Sequence, residues 1–281
     1  KMNALKLINR GSFKLRFYYV PAYKLDSEIL LSNVLGKKRE EILINLTQEI
    51  NLKHTRIFND FIKRRTLKEP VAYIVSEKEF WSKEFYVNKD TLIPRPETEL
   101  MIEQLIKIYK GKSIKILDIG VGSGCILISL LSELVYSKGI GIDISKKAIL
   151  IAEKNVKKHN VDKRIKLINK SFDNMHKREF DLIVSNPPYV KTSDIKNLEE
   201  DIKNYEPLIA LDGGNDGLDV IKKVIYKAKN ILKNKGTLSL EIGNGQFKKV
   251  SNILRKNKFK TKYLVKDYRD NIRCILSTLE K

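Results

Sequence analysis

The chain has 281 residues, of which 55 are Lys or Arg and 34 are Asp or Glu, so its formal net charge is +21. That length is enough for one large hydrophobic core and a smaller domain. Cys125 and Cys274 are the only cysteines and both fall within apolar runs, which excludes a disulfide framework and indicates buried thiols in a reducing compartment. The three histidines lie on polar stretches, so we expect no metal site. Because no apolar run is long enough to span a bilayer and no signal-peptide pattern opens the chain, we expect a cytoplasmic protein.

The excess of positive charge does not by itself identify a partner. A pI near 9.7 is typical of proteins that bind nucleic acid or anionic membranes. The Lys residues are nevertheless spread along the whole chain, as expected for solvated faces in a protein of biased composition. We therefore expect no direct nucleic-acid or membrane partner and a monomeric protein, although a positive face can still steer association with an acidic protein.

The first part of the chain has the apolar spacing of helices. Residues 24–69 carry this pattern, with Gly36 as a predicted helix stop and Thr55 or Asn59 near predicted helix starts. We therefore predict a small N-terminal helical bundle over residues 1–69.

A linker follows the predicted bundle. Val71–Ser76 and Glu79–Val87 alternate enough to predict a β-hairpin, which we assign to residues 70–93. Pro96 then ends the extended stretch, and Glu97-Thr98-Glu99 opens a helix with acidic residues in its first turn, where they favour the helix dipole.

Strands alternate with helices through the rest of residues 94–281, which indicates an α/β domain built on a mostly parallel sheet. Seven strands are predicted, the last of them antiparallel. Their approximate positions are 114–118, 139–143, 165–168, 180–185, 236–242, 260–266 and 272–279. The polar segment Lys191–Tyr205 is expected to form a mobile lid over a substrate.

A glycine loop follows the first of these strands. The strand runs into Gly120-Val121-Gly122-Ser123-Gly124, and an apolar helix begins at Cys125. Glycines allow close approach of a ligand to the backbone, because no Cβ intervenes and φ can be positive. The spacing G-x-G-x-G differs from the dinucleotide fingerprint G-x-G-x-x-G, and this favours S-adenosylmethionine over NAD. The alternative is a tight strand-to-helix turn, and Asp118 either supports that turn or holds the amino group of the ligand.

A carboxylate ends the second strand. Asp143 lies about 20 residues beyond the glycine loop, the offset at which an acid reaches ribose hydroxyls in nucleotide sites. The alternative is that Asp143 caps the following helix, a role that Ser145 can also fill. We favour the ribose role, because the carboxyl ends of parallel strands meet at one edge of the sheet.

The segment Asn186-Pro187-Pro188-Tyr189 directly follows the apolar strand Phe180–Ser185. An Asn oxygen and the Pro187 carbonyl can accept both hydrogens of an NH2 group, while the Tyr ring stacks on its plane. Two successive prolines keep the loop stiff and its carbonyls available. The segment therefore predicts a site for a planar nitrogen, against the simpler alternative of a rigid turn.

These motifs and several others resemble the PrmC/HemK family of protein-(glutamine-N5) methyltransferases, which act on peptide-chain release factors. The resemblance covers nearly the whole chain, and its most specific part is Leu92-Ile93-Pro94-Arg95-Pro96-Glu97-Thr98-Glu99-Leu100. Tyr205-Glu206-Pro207 and Gly214–Asp219 resemble the family's downstream segment. DNA adenine methyltransferases share Asn-Pro-Pro-Tyr, so that motif alone narrows the target only to a nitrogen.

The resemblance implies a class I S-adenosylmethionine-dependent methyltransferase: a Rossmann-like seven-stranded sheet with a small N-terminal helical domain and a β-hairpin linker. It implies S-adenosylmethionine as cofactor and, as substrate, the glutamine of the Gly-Gly-Gln motif of class I release factors, with residues 1–69 docking that partner. The residues implied to bind the cofactor are Gly120, Val121, Gly122, Ser123, Gly124, Asp143, Phe172 and Asn186. Those implied to bind the substrate are Asn186, Pro187, Pro188 and Tyr189, with Asn186, Pro187 and Tyr189 as catalytic residues.

The chain departs from the family pattern at two places. Ser76 stands where a Gly is usual, and Ser171 stands where an Asp commonly precedes the aromatic residue that covers adenine, here Phe172. These departures bear on cofactor affinity. The alternative function is methylation of DNA adenine or of a ribosomal target, which predicts an added target-recognition domain, and no such insertion is evident. A binding protein that keeps the cofactor pocket without turnover is a further alternative.

Overall fold

The computed structural model describes residues 2–280; Lys1 and Lys281, the outermost residues of the predicted first and last domains, lie outside the described residues. The chain forms two compact units. The helical unit runs to Glu77 and also includes Glu199–Tyr205, and the second, larger unit consists of Lys78–Leu198 and the chain from Glu206 onward. Within residues 2–280, no helix is both long enough and apolar enough to cross a membrane.

The elements are numbered along the chain. The α-helices are α1 (Ala4–Phe17), α2 (Tyr23–Leu35), α3 (Arg39–Ile44), α4 (Leu52–Thr66), α5 (Val71–Val75), α6 (Pro96–Tyr109), α7 (Cys125–Glu133), α8 (Lys146–Lys158), α9 (Glu200–Tyr205), α10 (Asp219–Ile231) and α11 (Phe247–Lys256). The strands are β1 (Glu77–Phe80), β2 (Lys83–Tyr86), β3 (Lys115–Ile119), β4 (Lys138–Asp143), β5 (Ile165–Asn169), β6 (Phe180–Ser185), β7 (Leu232–Glu241), β8 (Phe259–Lys266) and β9 (Ile272–Leu279).

The helical unit is a small bundle, as the apolar spacing predicts. Gly36 ends α2 in the left-handed conformation, with φ +60°, which confirms the predicted helix stop. The predicted helix starts at Thr55 or Asn59 are wrong: α4 begins at Leu52, because the Asn51 side chain accepts a hydrogen bond from the backbone N–H of His54 and caps the helix there.

The prediction that Val71–Ser76 forms one strand of the hairpin is also wrong. Val71–Val75 is the short helix α5, which begins after Pro70, and the Pro70 carbonyl accepts hydrogen bonds from the backbone N–H groups of Tyr73 and Ile74. A continuous apolar run has no period that separates helix from strand. The hairpin consists of β1 and β2 instead.

The second unit is built on the seven-stranded sheet, in the order β5-β4-β3-β6-β7-β9-β8. β3, β4, β5, β6 and β7 pair in parallel, whereas β9 is antiparallel to both of its neighbours, as predicted. Successive residues of β3 supply the cores on opposite faces of the sheet. Ile116 packs in the core that includes Met101 of α6, and Leu117 packs in the core that includes Ile221 of α10.

The predicted lid, Lys191–Tyr205, is divided between the two units. Thr192–Asn197 forms a 3-10 helix in the larger unit, whereas Glu199–Tyr205 packs with the helical unit. The Tyr205 hydroxyl donates a hydrogen bond to the Leu67 carbonyl at 2.7 Å. The second half of the predicted lid is therefore part of the helical bundle.

Candidate active site

The glycine loop leaves the carboxyl end of β3 and turns sharply. The backbone N–H groups of Gly120 and Val121 both donate to the Ile142 carbonyl, at 2.9 and 3.0 Å, so the loop is fixed to the end of β4. Gly120 and Gly122 have φ of +76° and +53°, and a Cβ added at Gly120 meets nothing within 4 Å. Gly124 differs, because an added Cβ lies 2.9 Å from Ile128 Cδ1. Gly120 and Gly122 therefore leave open space beside the loop, while Gly124 allows α7 to pack closely.

Asp143 stands at the end of the neighbouring strand β4. Its carboxylate accepts the backbone N–H of Gly122 at 3.0 Å and that of Ser145 at 2.9 Å. Burial raises the pKa of Asp143, and these backbone hydrogen bonds oppose the rise. The cap of α8 is Ser145, whose hydroxyl accepts the Ala148 N–H at 3.2 Å. Asp143 is thus connected to the glycine loop, and the capping role falls to Ser145.

Asp118 is fully buried and does not line the cavity described below. Burial, and then the charge of Asp143, raise its pKa to about 8, against a smaller opposing effect of the Leu127 backbone N–H. Its neutral form is therefore favoured near neutral pH.

The Asn-Pro-Pro-Tyr segment follows the end of β6. β6 is the neighbour of β3, and the Ser185 hydroxyl donates to the Ile119 carbonyl at 2.7 Å. Asn186 therefore starts beside the start of the glycine loop. Pro187 is buried, whereas Asn186 and Pro188 are half-buried.

A cavity of about 730 Å³ opens at this edge of the sheet, entirely within the larger unit. Nine of the residues predicted for the site line it: Gly120, Val121, Gly122, Ser123, Asp143, Phe172, Asn186, Pro187 and Pro188. Gly124 and Tyr189 are not among its lining residues. The carboxyl ends of β3, β4, β5 and β6 thus meet in one concave site, where open α/β sheets bind ligands.

Phe172 lies in a short 3-10 helix that follows β5 and forms part of the cavity wall. Ser171, the departure from the family pattern, also lines the cavity, and its hydroxyl donates to the Asp173 carboxylate at 2.9 Å. Asp173 lines the cavity as well. A carboxylate is therefore present next to Phe172, but it follows Phe172 in the chain, whereas the family's Asp precedes the aromatic residue.

Tyr189 ends the Asn-Pro-Pro-Tyr segment, and its hydroxyl contacts two charged side chains. Its hydroxyl donates to Glu241 Oε1 at 3.5 Å and accepts from Arg273 Nη2 at 3.4 Å. The Arg273 guanidinium carbon lies 5.9 Å from the centroid of the Tyr189 ring. Burial raises the pKa of Tyr189 to about 12, and the charge of Glu241 adds to the rise. Tyr189 therefore remains a neutral phenol.

The Arg-Pro-Glu-Thr-Glu segment, residues 95–99, contacts Glu206 and Glu241 beside the cavity. Arg95 forms an ion pair with Glu206, whose other oxygen accepts the Ile93 N–H at 3.1 Å. Thr98, at the start of α6, lines the cavity and donates its hydroxyl to Glu241. Glu97 is half-buried. Glu206 thus holds the segment that precedes α6 through both of its carboxylate oxygens.

Sequence reasoning missed Glu241 and Arg273. The five residues before Glu241, Gly236–Leu240, are apolar or small, and an acid at the carboxyl end of a buried parallel strand is a signal that could have identified it. Arg273 carries no comparable signal, because it is brought to Tyr189 only by the pairing of β7 with β9.

The cavity fits S-adenosylmethionine. Gly120 and Gly122 leave its wall open beside the backbone, Asp143 supplies a carboxylate and Phe172 an aromatic face. With the seven-stranded sheet and its antiparallel β9, the chain has the fold of the class I S-adenosylmethionine-dependent methyltransferases.

Comparison with known proteins gives the family. Residues 6–75 match the PrmC N-terminal domain and residues 96–203 match the methyltransferase small domain. A release factor glutamine methyltransferase of Thermodesulfovibrio yellowstonii is 37% identical over 265 residues, which covers 93% of this chain and 91% of that protein. The chain belongs to the release factor glutamine methyltransferase family.

Other relatives are longer. A bifunctional methyltransferase of Rickettsia typhi is 38% identical over 290 residues, which covers 96% of this chain but 56% of that protein. The chain thus spans little more than half the length of the first curated relatives that it matches. Among solved structures, the catalytic domain of hMettl16 in complex with a MAT2A 3′UTR hairpin shares the fold, with a TM-score of 0.58, 16% identity, and coverage of 83% of this chain and 87% of that chain.

Proposed function

We propose that this chain transfers a methyl group from S-adenosylmethionine to the side-chain amide nitrogen of the glutamine in the Gly-Gly-Gln motif of peptide-chain release factors. One observation carries the proposal. The glycine loop and the Asn186-Pro187-Pro188 segment line a single cavity, in a chain of which 93% matches a relative named release factor glutamine methyltransferase. A methyl donor and an amide can therefore meet there.

The cofactor is proposed to lie along the carboxyl ends of β3, β4 and β5. Gly120, Val121, Gly122 and Ser123 would contact its methionine portion, since the glycines leave the backbone uncovered. Asp143 would accept hydrogen bonds from the ribose hydroxyls. Phe172 would cover the adenine ring. When bound, the cofactor supplies a methyl carbon that is electrophilic because it is attached to a positively charged sulfur.

Asn186 and Pro187 are proposed to bind the amide of the substrate. The Asn186 side-chain oxygen and the Pro187 carbonyl would each accept one amide hydrogen. An amide nitrogen is a poor nucleophile, because its lone pair is delocalised into the carbonyl. Binding both hydrogens would orient the nitrogen and favour the geometry in which its lone pair is free to form a bond. As the carbon–nitrogen bond formed, the methyl–sulfur bond would break with its electron pair left on sulfur, and the nitrogen would release one of its two hydrogens as a proton to water.

Tyr189, the last residue of the Asn186–Tyr189 loop, is proposed to limit the orientation of the substrate amide with its ring. Its hydroxyl is fixed by Glu241 and Arg273 and its backbone carbonyl accepts from Gln246 Nε2 at 3.0 Å. A ring anchored at both ends can limit the orientations of a flat group that binds beside it.

The remaining proposals concern the partner and the compartment. We infer that residues 1–69 dock the release factor, with residues 70–93 as linker and residues 94–281 as methyltransferase domain. Cys125 and Cys274 are free thiols, which favours the reducing cytoplasm, where translation takes place. We propose a monomer without a direct nucleic-acid partner.

The test uses methyl-labelled S-adenosylmethionine. The chain is incubated with a class I release factor, with the same factor carrying Asn in place of the motif glutamine, and with adenine-containing DNA. Label should appear on the unaltered factor alone. Label on DNA, or equal label on the Asn variant, would contradict the proposal, and absence of label in every arm would favour a protein that binds the cofactor without turnover.

A further inference from the structure

Glu241 is a fully buried carboxylate that lies close to the proposed site without lining its cavity. It ends β7 and has no exposed surface. Its Oε2 accepts the Thr98 hydroxyl at 2.5 Å, and its Oε1 accepts the Tyr189 hydroxyl at 3.5 Å. The two donors come from the start of α6 and from the end of the Asn-Pro-Pro-Tyr loop. Glu241 therefore connects two segments that are far apart in the chain.

Arg273 completes the arrangement from the neighbouring strand. The Ile242 N–H donates to the Arg273 carbonyl at 2.8 Å, which places Arg273 beside the end of β7. Its Nη2 donates to the Tyr189 hydroxyl at 3.4 Å. The hydroxyl of Tyr189 thus lies between a carboxylate and a guanidinium, and its position depends on both.

The energetics argue against a purely structural role for this carboxylate. A buried ionisable group has a high desolvation cost, and apolar residues of similar volume are often as stable or more stable in its place. Burial raises the pKa of Glu241, while the Thr98 hydroxyl, the charge of Arg273 and the Tyr189 hydroxyl oppose the rise. The three groups that favour the ionised form all belong to the contacts described above.

We infer that Glu241 is a positioning residue for the methyl transfer: by accepting hydrogen bonds from Thr98 and Tyr189, it holds the Asn186–Tyr189 loop in register with the start of α6. This inference rests on the proposed function. Glu241 does not line the cavity; it acts through Tyr189, the last residue of the loop that carries Asn186 and Pro187, and through Thr98 in the cavity wall.

The test compares Glu241→Gln, Tyr189→Phe and the double variant in the full chain. We expect Glu241→Gln to lower kcat by about tenfold to a hundredfold, because a small misplacement of a reacting group has effects of that size, while the affinity for S-adenosylmethionine stays within about twofold. The double variant should be no worse than Glu241→Gln alone, since residues that act as a unit are not additive. Multiplying defects, or unchanged kcat in Glu241→Gln, would overturn the inference.

Ser239→Ala is the matched control. Ser239 lies two residues earlier on β7, is fully buried, and its hydroxyl has no hydrogen-bond partner among the described residues. Its removal should leave kcat unchanged. A fall in kcat equal to that of Glu241→Gln would show general sensitivity of β7 and would overturn the inference.

A second measurement does not depend on turnover. The ring chemical shifts of Tyr189 are read by NMR of ring-labelled tyrosine at neutral pH, with Tyr189→Phe to assign the signal. Because the Tyr189 hydroxyl contacts the Glu241 carboxylate, Glu241→Gln should shift this signal, whereas Ser239→Ala should leave it in place. An unchanged Tyr189 signal in Glu241→Gln would show that the two groups are not coupled and would overturn the inference. If the unaltered chain labels no release factor while this shift is seen, the proposed function fails and the contact between Glu241 and Tyr189 stands.

Discussion

The Ser185 hydroxyl donates a hydrogen bond to the carbonyl of Ile119 at 2.7 Å, and both residues are buried. Ser185 is the last residue of β6 and Ile119 the last of β3. The next residue after Ser185 is Asn186, and the next after Ile119 is Gly120. One side-chain contact therefore fixes the starting points of the Asn-Pro-Pro-Tyr segment and the glycine loop relative to each other.

Ser185→Ala should disturb both stability and turnover. Losing the hydroxyl leaves the Ile119 carbonyl without that donor, which costs about 1 to 3 kcal/mol in unfolding free energy. We also expect a lower kcat, since Asn186 is then less well placed. Chemical denaturation and steady-state kinetics measure the two effects. Ser129→Ala is the control, because the buried Ser129 hydroxyl has no partner among the described residues; equal behaviour of the two variants would count against this account.

Asn186→Ala and Asp143→Ala should separate the two halves of the site. Asn186→Ala is expected to lower kcat by about a hundredfold to a thousandfold, the usual loss on removing one donor or acceptor that acts in the transition state, with cofactor affinity nearly unchanged. Asp143→Ala should weaken cofactor binding by about tenfold to a hundredfold, because it removes a charged hydrogen-bonding group. Calorimetric titration with S-adenosylmethionine gives the affinities. Equal loss of cofactor affinity in both variants would refute the division.

Asp118 should make stability fall as pH rises. Its folded-state pKa is about 8, against 3.8 for an ordinary Asp. Between these values the folded chain keeps a proton that the unfolded chain releases, so raising the pH favours unfolding. Asp118→Asn removes this dependence, and its Tm should fall less between pH 5 and pH 8 than that of the unaltered chain. The exposed Asp270→Asn is the control, and a slope unchanged by Asp118→Asn would contradict the prediction.

Gly213→Ala should displace the Asn-Pro-Pro-Tyr segment. A Cβ at Gly213 lies 2.8 Å from the carbonyl oxygens of Pro188 and Gly217, and backbone atoms have little freedom to move away. We expect a lower Tm and a marked loss of kcat. Gly36→Ala in the helical unit is the control: it strains a left-handed helix end and costs about 1 kcal/mol, but should leave kcat on free substrate peptide unchanged. Normal kcat in Gly213→Ala would show that the loop tolerates the shift.

Local patterns predict most of the sheet and most of the cavity wall. Phe180–Ser185, for example, is a mostly apolar segment of strand length, and the Asn-Pro-Pro-Tyr motif stands at its carboxyl end. Local sequence pattern does not predict the start of β7 at Leu232, four residues before the predicted position 236. Lys233, Asn234 and Lys235 are exposed, and the strand extends there through the pairing of Phe180 with Leu232.

The contacts of Tyr189 are a second feature that local sequence patterns do not predict. Its partners Glu241 and Arg273 lie 52 and 84 residues further along the chain. They meet only because β9 inserts next to β7 and antiparallel to it, which follows from sheet topology and not from any local spacing. The sequence predicts a role for the Tyr189 ring, whereas the two partners of its hydroxyl become visible only in the folded sheet.

The position of helix α9 in the helical unit limits where the chain can be divided. Although Glu199–Tyr205 follows most of the sheet in the chain, it belongs to the helical unit, and Tyr205 is bonded to Leu67 there. A protease that cuts after Glu77 would therefore release an incomplete body, and a chimaera that exchanges only the first 77 residues between relatives would separate one helix from its native neighbours. Exchange of the complete helical unit between relatives therefore requires both of its stretches, the one that ends at Glu77 and Glu199–Tyr205.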